Sequence, residues 1–261
     1  MELIEELFDS ITQENLQYAR EIITSGCDIN FQLEDGVTPL MMAASTGNLG
    51  IVQLLVETGA DINQIDVYGN SALMYASFEN FWDIVDYLIP LAKPELRATH
   101  LFAAASEGHT RLVQAIISSG INVDAYRQKG VWNQNGMTAL MISAQAGYSK
   151  IVKVLLDANA NPNLTEGDTG GTPLMYGVES GNVEVVRLLL KAEADLNSQN
   201  FTGKTALIKA VKMGNTEMVK TLLQANADIT IKDHDGKIAL NYALESNHIE
   251  IAKLLQNAKG E

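Results

Sequence analysis

The chain has 261 residues, 46% of them hydrophobic, with one cysteine and a net charge of −14 at pH 7. A single cysteine excludes an intrachain disulfide framework, and an acidic chain without a run of five basic residues argues against binding to nucleic acid phosphates. No stretch approaches 18 consecutive apolar residues, so we expect no membrane insertion. The acidic residues 1–6 are unlike a secretory signal, so we expect a cytoplasmic protein.

The chain opens with a degenerate helix pair in residues 1–32. Apolar residues recur there at helical spacing and are followed by the tract G-C-D-I-N at residues 26–30. Cys27 stands where later tracts have alanine. We therefore predict that it is a small buried residue rather than a reactive thiol.

Residues 38–47 read T-P-L-M-M-A-A-S-T-G and predict a short helix. The Thr38 hydroxyl can cap a free backbone amide, and Pro39 lies where a missing N–H has no cost. Gly47 can end the helix in a left-handed conformation. The apolar residues between positions 49 and 55 then predict a second helix, which stops at Gly59 before A-D-I-N.

This phrase recurs along the chain and indicates stacked repeats. Its first position is held in turn by Thr38, Ser71, Thr99, Thr138, Thr172, Thr205 and Ile238, and the intervals between them are 33, 28, 39, 34, 33 and 33 residues.

The combination of G-x-T-P-L, A-A-x-x-G and G-A-D-I-N at 33-residue spacing resembles ankyrin repeats over nearly the whole chain. The resemblance implies an all-α solenoid of about eight helix-turn-helix units with projecting inter-repeat fingers. We expect one domain, residues 1–261. Its parts are an N-terminal cap unit (1–32), repeats at 33–65, 66–94 and 95–126, an extended finger at 127–134, repeats at 135–165, 166–199 and 200–232, and a C-terminal cap unit (233–261).

One departure from the family pattern is systematic. Ankyrin repeats commonly have histidine after T-P-L, whereas the residues here are Met41, Met74, Phe102, Met141, Met175, Ile208 and Asn241. We therefore expect that the local hydrogen bond of that histidine is absent and that apolar contacts hold the loop instead.

The two irregular intervals are adjacent. Pro90 and Pro94 should end the second helix of the short repeat, which leaves no room for a finger. The next interval gains six residues, which lengthen the following finger and add Tyr126 and Trp132. A notch beside a protrusion is either a docking feature, the interpretation that we favour, or a pair of neutral insertions and deletions.

Catalytic, metal and cofactor chemistry finds little support in the sequence. His109 and His248 occupy turn positions of the repeat, and Cys27 lacks a C-x-x-C partner. Residues 166–171 are rich in glycine but lack the G-K-[ST] ending of a phosphate loop. We predict no enzyme activity, no cofactor, no metal site and no small-molecule substrate.

The acidic charge is concentrated in one part of the chain. Residues 1–100 hold 3 Lys and Arg against 16 Asp and Glu, and residues 101–261 hold 15 against 16. This asymmetry indicates either a docking surface for a basic patch on a partner protein or a solvated face that maintains solubility. If it is a docking surface, we expect Glu34, Asp35, Asp66 and Glu79 to carry most of it. The sequence leaves both open.

The resemblance implies binding of a partner protein through a concave face lined by the fingers and the ends of the first helices. The residues carried over to that surface are Glu34, Asp35, Tyr68, Phe78, Glu79, Tyr126, Trp132 and Phe201. We predict a non-catalytic interaction scaffold that acts as a regulator or assembly factor. The alternatives are a host-directed effector, an enzyme with an unrecognised groove site and a structural spacer.

Overall fold

The computed structural model describes residues 2–126 and 136–258, and within these ranges every regular element is helical. The chain divides into two compact units, residues 1–100 and residues 101–261. The repeat boundaries drawn from the sequence stay predictions.

The N-terminal unit (residues 1–100) is built from two layers of short helices. Its elements are α1 (Glu2–Thr12), α2 (Leu16–Thr24), α3 (Pro39–Thr46), α4 (Leu49–Glu57), α5 (Ala72–Phe78), α6 (Trp82–Leu88) and the first turns of α7 (Pro94–Glu107). Helix α3 packs against α1 and α5, and α4 packs against α2 and α6. First helices therefore pack on first helices, and second helices on second helices, as the repeat predicts.

The C-terminal unit (residues 101–261) has the same two layers. After α7 it contains α8 (Thr110–Ser118), α9 (Ala139–Gln145), α10 (Ser149–Asp157), α11 (Pro173–Glu179), α12 (Val183–Lys191), α13 (Ala206–Lys212), α14 (Thr216–Gln224), α15 (Ala239–Glu245) and α16 (Ile249–Asn257). Helices α9, α11, α13 and α15 pack in sequence, and α8, α10, α12, α14 and α16 form the other layer.

The residues predicted to start and to end α3 do so in the structure. The Thr38 hydroxyl accepts a hydrogen bond from the Met41 backbone N–H at 3.2 Å, and Pro39 occupies the first turn of α3. Gly47 ends the helix with φ at +81°, where a Cβ would be strained. Thr138, Thr172 and Thr205 cap α9, α11 and α13 in the same way.

In the short repeat the second helix ends near the prolines, as predicted, but the next helix does not begin at the threonine. Helix α6 ends at Leu88, and one 3₁₀ turn (Ile89–Leu91) leads to α7, which begins at Pro94. The expectation that Thr99 starts a helix is wrong. Thr99 lies inside α7, where its hydroxyl donates to the Glu95 carbonyl at 3.0 Å, because Pro94 already supplies a helix start that needs no N–H.

The core contains both the small and the large apolar residues that the repeat pattern places there. Ala43 and Ala44 are fully buried, so neighbouring helices can approach closely, and Leu155 is fully buried in α10. The prediction for Cys27 was wrong in its degree of burial, since the residue is half-buried. Its thiol contacts the Leu3 carbonyl oxygen at 3.3 Å, and burial raises the pKa of the thiol.

Where the second helices end, consecutive repeats are joined by hydrogen bonds from a backbone N–H to a side-chain oxygen of Asn or Asp. The Asn30 Oδ1 atom accepts from the backbone N–H of Asp61 at 2.7 Å, and the Asn163 Oδ1 atom accepts from that of Asp195 at 2.6 Å. In these tracts the last polar residue thus binds the backbone of the next tract. The same bond joins Asn63 to Lys93, Asp124 to Asn161, and Asn197 to Asp228.

Candidate functional site

The base of the second finger (residues 65–70) is organised by one buried carboxylate. Asp66 is only 5% exposed, and its Oδ1 atom accepts from the backbone N–H groups of Tyr68 and Asn70 at 2.9 and 2.7 Å. Its Oδ2 atom accepts from the Tyr75 hydroxyl of α5 at 2.9 Å. Because these donors come from both the turn and the helix, Asp66 fixes the finger on the helix that follows it.

Glu166 has the same role in the finger at residues 166–171. It is buried and accepts from the backbone N–H groups of Asp168 and Gly171 at 2.7 and 3.1 Å, and from Thr169. Burial alone would raise its pKa, but these hydrogen bonds outweigh burial and lower it. The carboxylate therefore stays ionised inside the turn.

Asp233 organises the finger at residues 233–237. Its Oδ1 atom accepts from the backbone N–H groups of Asp235 and Lys237, both at 3.0 Å, and its Oδ2 atom accepts from the Tyr242 hydroxyl. The Lys204 Nζ atom lies 3.7 Å from Oδ2. Burial favours a higher pKa for Asp233, but the Tyr242 and backbone hydrogen bonds together with Lys204 lower it.

These carboxylates correct the expectation that apolar contacts replace the missing histidine. In two repeats a buried acid holds the loop by accepting a hydrogen bond from a tyrosine, and in a third the buried Glu166 holds the loop with Tyr176 nearby. The sequence contains a signal for this arrangement, an acid nine or ten residues before a tyrosine, in the pairs Asp66 and Tyr75, Glu166 and Tyr176, and Asp233 and Tyr242. The pKa of each tyrosine is raised to about 12, by burial first for Tyr75 and Tyr176 and by the bond to Asp233 first for Tyr242.

Backbone hydrogen bonds join neighbouring fingers. The Val67 N–H donates to the Asp35 carbonyl at 3.0 Å in the N-terminal unit. In the C-terminal unit the Phe201 N–H donates to the Thr169 carbonyl at 2.7 Å, and the His234 N–H donates to the Thr202 carbonyl at 3.2 Å. The second finger and the finger at residues 233–237 are therefore fixed both on their own helices and on the finger beside them.

The N-terminal unit places all five of its predicted site residues at the surface. Glu34, Asp35 and Glu79 are exposed, Tyr68 is 72% exposed, and Phe78 is exposed at the end of α5. The structure brings Asp35 close to the second finger through the Val67 bond. The prediction that Asp66 belongs to the acidic docking residues is wrong, because its oxygens are buried and used within the finger.

In the C-terminal unit the predicted Phe201 stands at a finger tip and is 61% exposed. Part of its ring covers Gly170, where a Cβ would lie 2.6 Å from the ring. Tyr126 is exposed at the end of the first described range. Trp132 and the extended finger at 127–134 lie outside the described residues.

A buried serine and histidine form a pair that sequence reasoning missed. The Ser71 Oγ and His100 Nε2 atoms are 2.7 Å apart, and the two residues are 0% and 1% exposed. Burial lowers the pKa of His100 to about 4. Because the hydroxyl is enclosed, no substrate can reach it, and the pair supports packing. The two residues are 29 positions apart, so no local motif pointed to them.

The described residues contain no group of three His, Cys, Asp or Glu side chains placed to hold a metal ion. Among the helices that the structure describes, none has the length and apolar character needed to cross a membrane.

Comparison with known families agrees with this geometry, because a sequence model described as ankyrin repeats matches residues 7–100, 101–200 and 192–261. The chain belongs to the ankyrin repeat family. Ankyrin repeats generally mediate protein–protein interactions and are typically non-catalytic.

The chain is similar to parts of longer proteins. The ankyrin repeat and SAM domain-containing protein 6 of Rattus norvegicus is 37% identical over 131 residues, 47% of this chain and 15% of that protein. The E3 ubiquitin-protein ligase XBAT33 of Arabidopsis thaliana is 30% identical over 151 residues, 48% of this chain and 29% of that protein. The chain thus spans less than a third of each of these relatives.

Proposed function

We propose that this ankyrin repeat chain is a non-catalytic scaffold that binds a partner protein through its fingers and the adjoining ends of its first helices. The observation that carries the proposal is the contrast within the second finger. Its base is fixed by the buried Asp66 carboxylate, while its tip presents Tyr68 to water. Phe201 is likewise exposed at the tip of a finger whose turn is held by the Asn200 side chain, which accepts from the backbone N–H groups of Thr202 and Lys204.

This contrast favours binding for two physical reasons. An aromatic ring exposed to water gains free energy when a partner covers it, and such rings are frequent energetic centres of interfaces. A finger already held in one conformation loses little entropy on binding. The Val67 to Asp35 bond adds to this rigidity in the N-terminal unit.

The test is affinity capture from native lysate with the wild-type chain and a Tyr68→Ser/Phe201→Ser variant. We expect a stoichiometric partner with the wild type and at least about a tenfold loss of it with the variant. A matched control is Ile249→Ser, which removes an equally exposed apolar side chain from the second-helix layer. Equal capture by all three proteins would contradict a role for the fingers, and no partner at all would favour the structural spacer.

A further inference from the structure

An apolar cleft of about 400 Å³ lies in the N-terminal unit between α1, the first finger (residues 31–37) and α3. Its apolar lining consists of Ile4, Phe8, Phe31, Leu33 and Met42. The volume falls in the range of about 300–1,000 Å³ that is usual for binding pockets. Leu33 is exposed, and the other four are half-buried, so the lining is partly in contact with water.

The cleft exists where the carboxylate and tyrosine of other fingers are replaced. Leu33 and Met42 stand 33 positions before Asp66 and Tyr75, at the same points of the repeat. Asp66 and Tyr75 are joined by a hydrogen bond across the base of their finger, and neither Leu33 nor Met42 can form such a bond. The first finger therefore presents an apolar surface in place of a polar link.

The rim of this cleft is acidic. Glu5 and Asp9 line it from α1, and both are exposed. They are four residues apart on one helix, a spacing at which like charges repel each other. The three basic residues of positions 1–100, Arg20, Lys93 and Arg97, do not line the cleft. A cation supplied from outside would relieve this repulsion.

We infer that the α1 cleft seats a short segment of a partner protein that carries large apolar side chains flanked by Lys or Arg. This inference rests on the proposed function and names the chemistry of the partner. The apolar side chains would cover Phe8, Leu33 and Met42, and the cations would meet Glu5 and Asp9. A second copy of the chain fits poorly, because residues 1–100 carry 16 acids against 3 bases and two such surfaces repel.

The probe is a fluorescein-labelled peptide of about twelve residues in which leucines at helical spacing alternate with lysines. Two matched peptides replace every lysine by glutamate or every leucine by serine. Titration by fluorescence anisotropy should show that the wild-type chain binds the leucine–lysine peptide at least about tenfold more tightly than either control peptide. Similar affinity for all three peptides would overturn the proposal.

Two variants locate the binding. Leu33→Asp/Met42→Tyr installs the pair found at Asp66 and Tyr75, so it should fold and fill the cleft. The surface variant Glu5→Lys/Asp9→Lys reverses the rim charge without touching the core. Each variant should bind the leucine–lysine peptide at least about tenfold more weakly than the wild type does. The control Glu57→Lys/Asp86→Lys makes the same charge change on α4 and α6 and should alter affinity by less than about threefold.

Other results would overturn the inference. Wild-type affinity in both cleft variants would place the peptide elsewhere. Dimers in sedimentation that become monomers with Leu33→Asp/Met42→Tyr would make a second copy the occupant. The Tyr68→Ser/Phe201→Ser variant should keep the peptide affinity. If the peptide binds but no partner is captured from lysate, the cleft proposal therefore stands and the proposed function is wrong. If a partner is captured and the cleft variants do not reduce its capture, the proposed function stands and the cleft proposal is wrong.

Discussion

Single residues set the backbone of each turn in this chain, and one of them is poorly suited to its place. After the second helices, the chain turns through a left-handed conformation at Gly59, Gly120, Asn159 and Asn226. Gly and Asn tolerate this region best. At the same point after α12 the residue is Glu193, with φ at +62°.

We expect Glu193→Gly to stabilise the chain by about 0.5–1 kcal/mol, because glycine adopts a positive φ without strain from a Cβ. The free energy of unfolding in urea measures the effect. Glu193→Ala serves as the control, since it removes the charge and keeps the Cβ, and it should bring no gain. Equal stabilisation by both variants would show that charge, and not backbone strain, was the cause.

His100 should make stability depend on pH in weak acid. Burial lowers its pKa from 6.5 to about 4 in the folded state. Below pH 6.5 the unfolded chain binds a proton that the folded chain excludes, so the free energy of unfolding falls as the pH drops from 6.5 toward 4. Urea unfolding at pH 7 and pH 5 should show a smaller loss for His100→Asn than for the wild type. An equal loss in both proteins would contradict this origin.

At the scale of elements, sequence pattern gave the helices and their order because each start and stop has a local cause. Thr38 and Gly47 act within one turn of their own positions, so the residue types suffice. Thr99 was misassigned because Pro94 competes for the same helix start. The finger bases were harder to predict, since burial decides whether Asp66 is an interface charge or a structural anchor, and burial depends on the neighbouring repeat.

Leu155→Ala should destabilise the chain by about 2–5 kcal/mol, since it removes apolar contact and leaves a cavity. Leu155 is fully buried in α10. Leu156→Ala is a matched control, because Leu156 follows Leu155 in the same helix and its side chain is only half-buried. This substitution should lower the free energy of unfolding by less. Denaturant unfolding compares the two, and a change below about 0.5 kcal/mol for Leu155→Ala would contradict its place in the core.

For the whole molecule, the uneven distribution of charge along the chain matters more for partner binding than the net charge does. The acid excess lies in residues 1–100, and Glu34, Asp35 and Glu79 place part of it on exposed positions of the candidate surface. The sequence identified this asymmetry but could not separate Asp66 from the exposed acids. Of the predicted docking acids Glu34, Asp35, Asp66 and Glu79, the three exposed ones, Glu34, Asp35 and Glu79, remain candidates for electrostatic attraction of a basic partner.

We expect the rate of association with a captured partner to fall as salt rises from 50 to about 500 mM, because exposed charges are screened within about 8 Å at physiological ionic strength. Stopped-flow measurements with Glu34→Gln/Asp35→Asn should show a slower association and a weaker salt dependence. The control Glu57→Gln/Asp86→Asn removes two charges from the second-helix layer. A rate independent of salt would assign the acidic excess to solubility.

The hydrogen bonds that join the side chains of one exit tract to the backbone of the next also determine how such a chain can change its length. Asn163 and Asn197 each accept from the backbone of the following tract, Asp195 and Asp228 respectively. Deleting residues 164–197 would place Asn163 before Ser198, where its Oδ1 atom could accept from Asp228. Every remaining acceptor would keep a donor of the same kind. Loss or duplication of one repeat is therefore a change that this hydrogen-bond pattern tolerates, whereas removal of half a repeat is not.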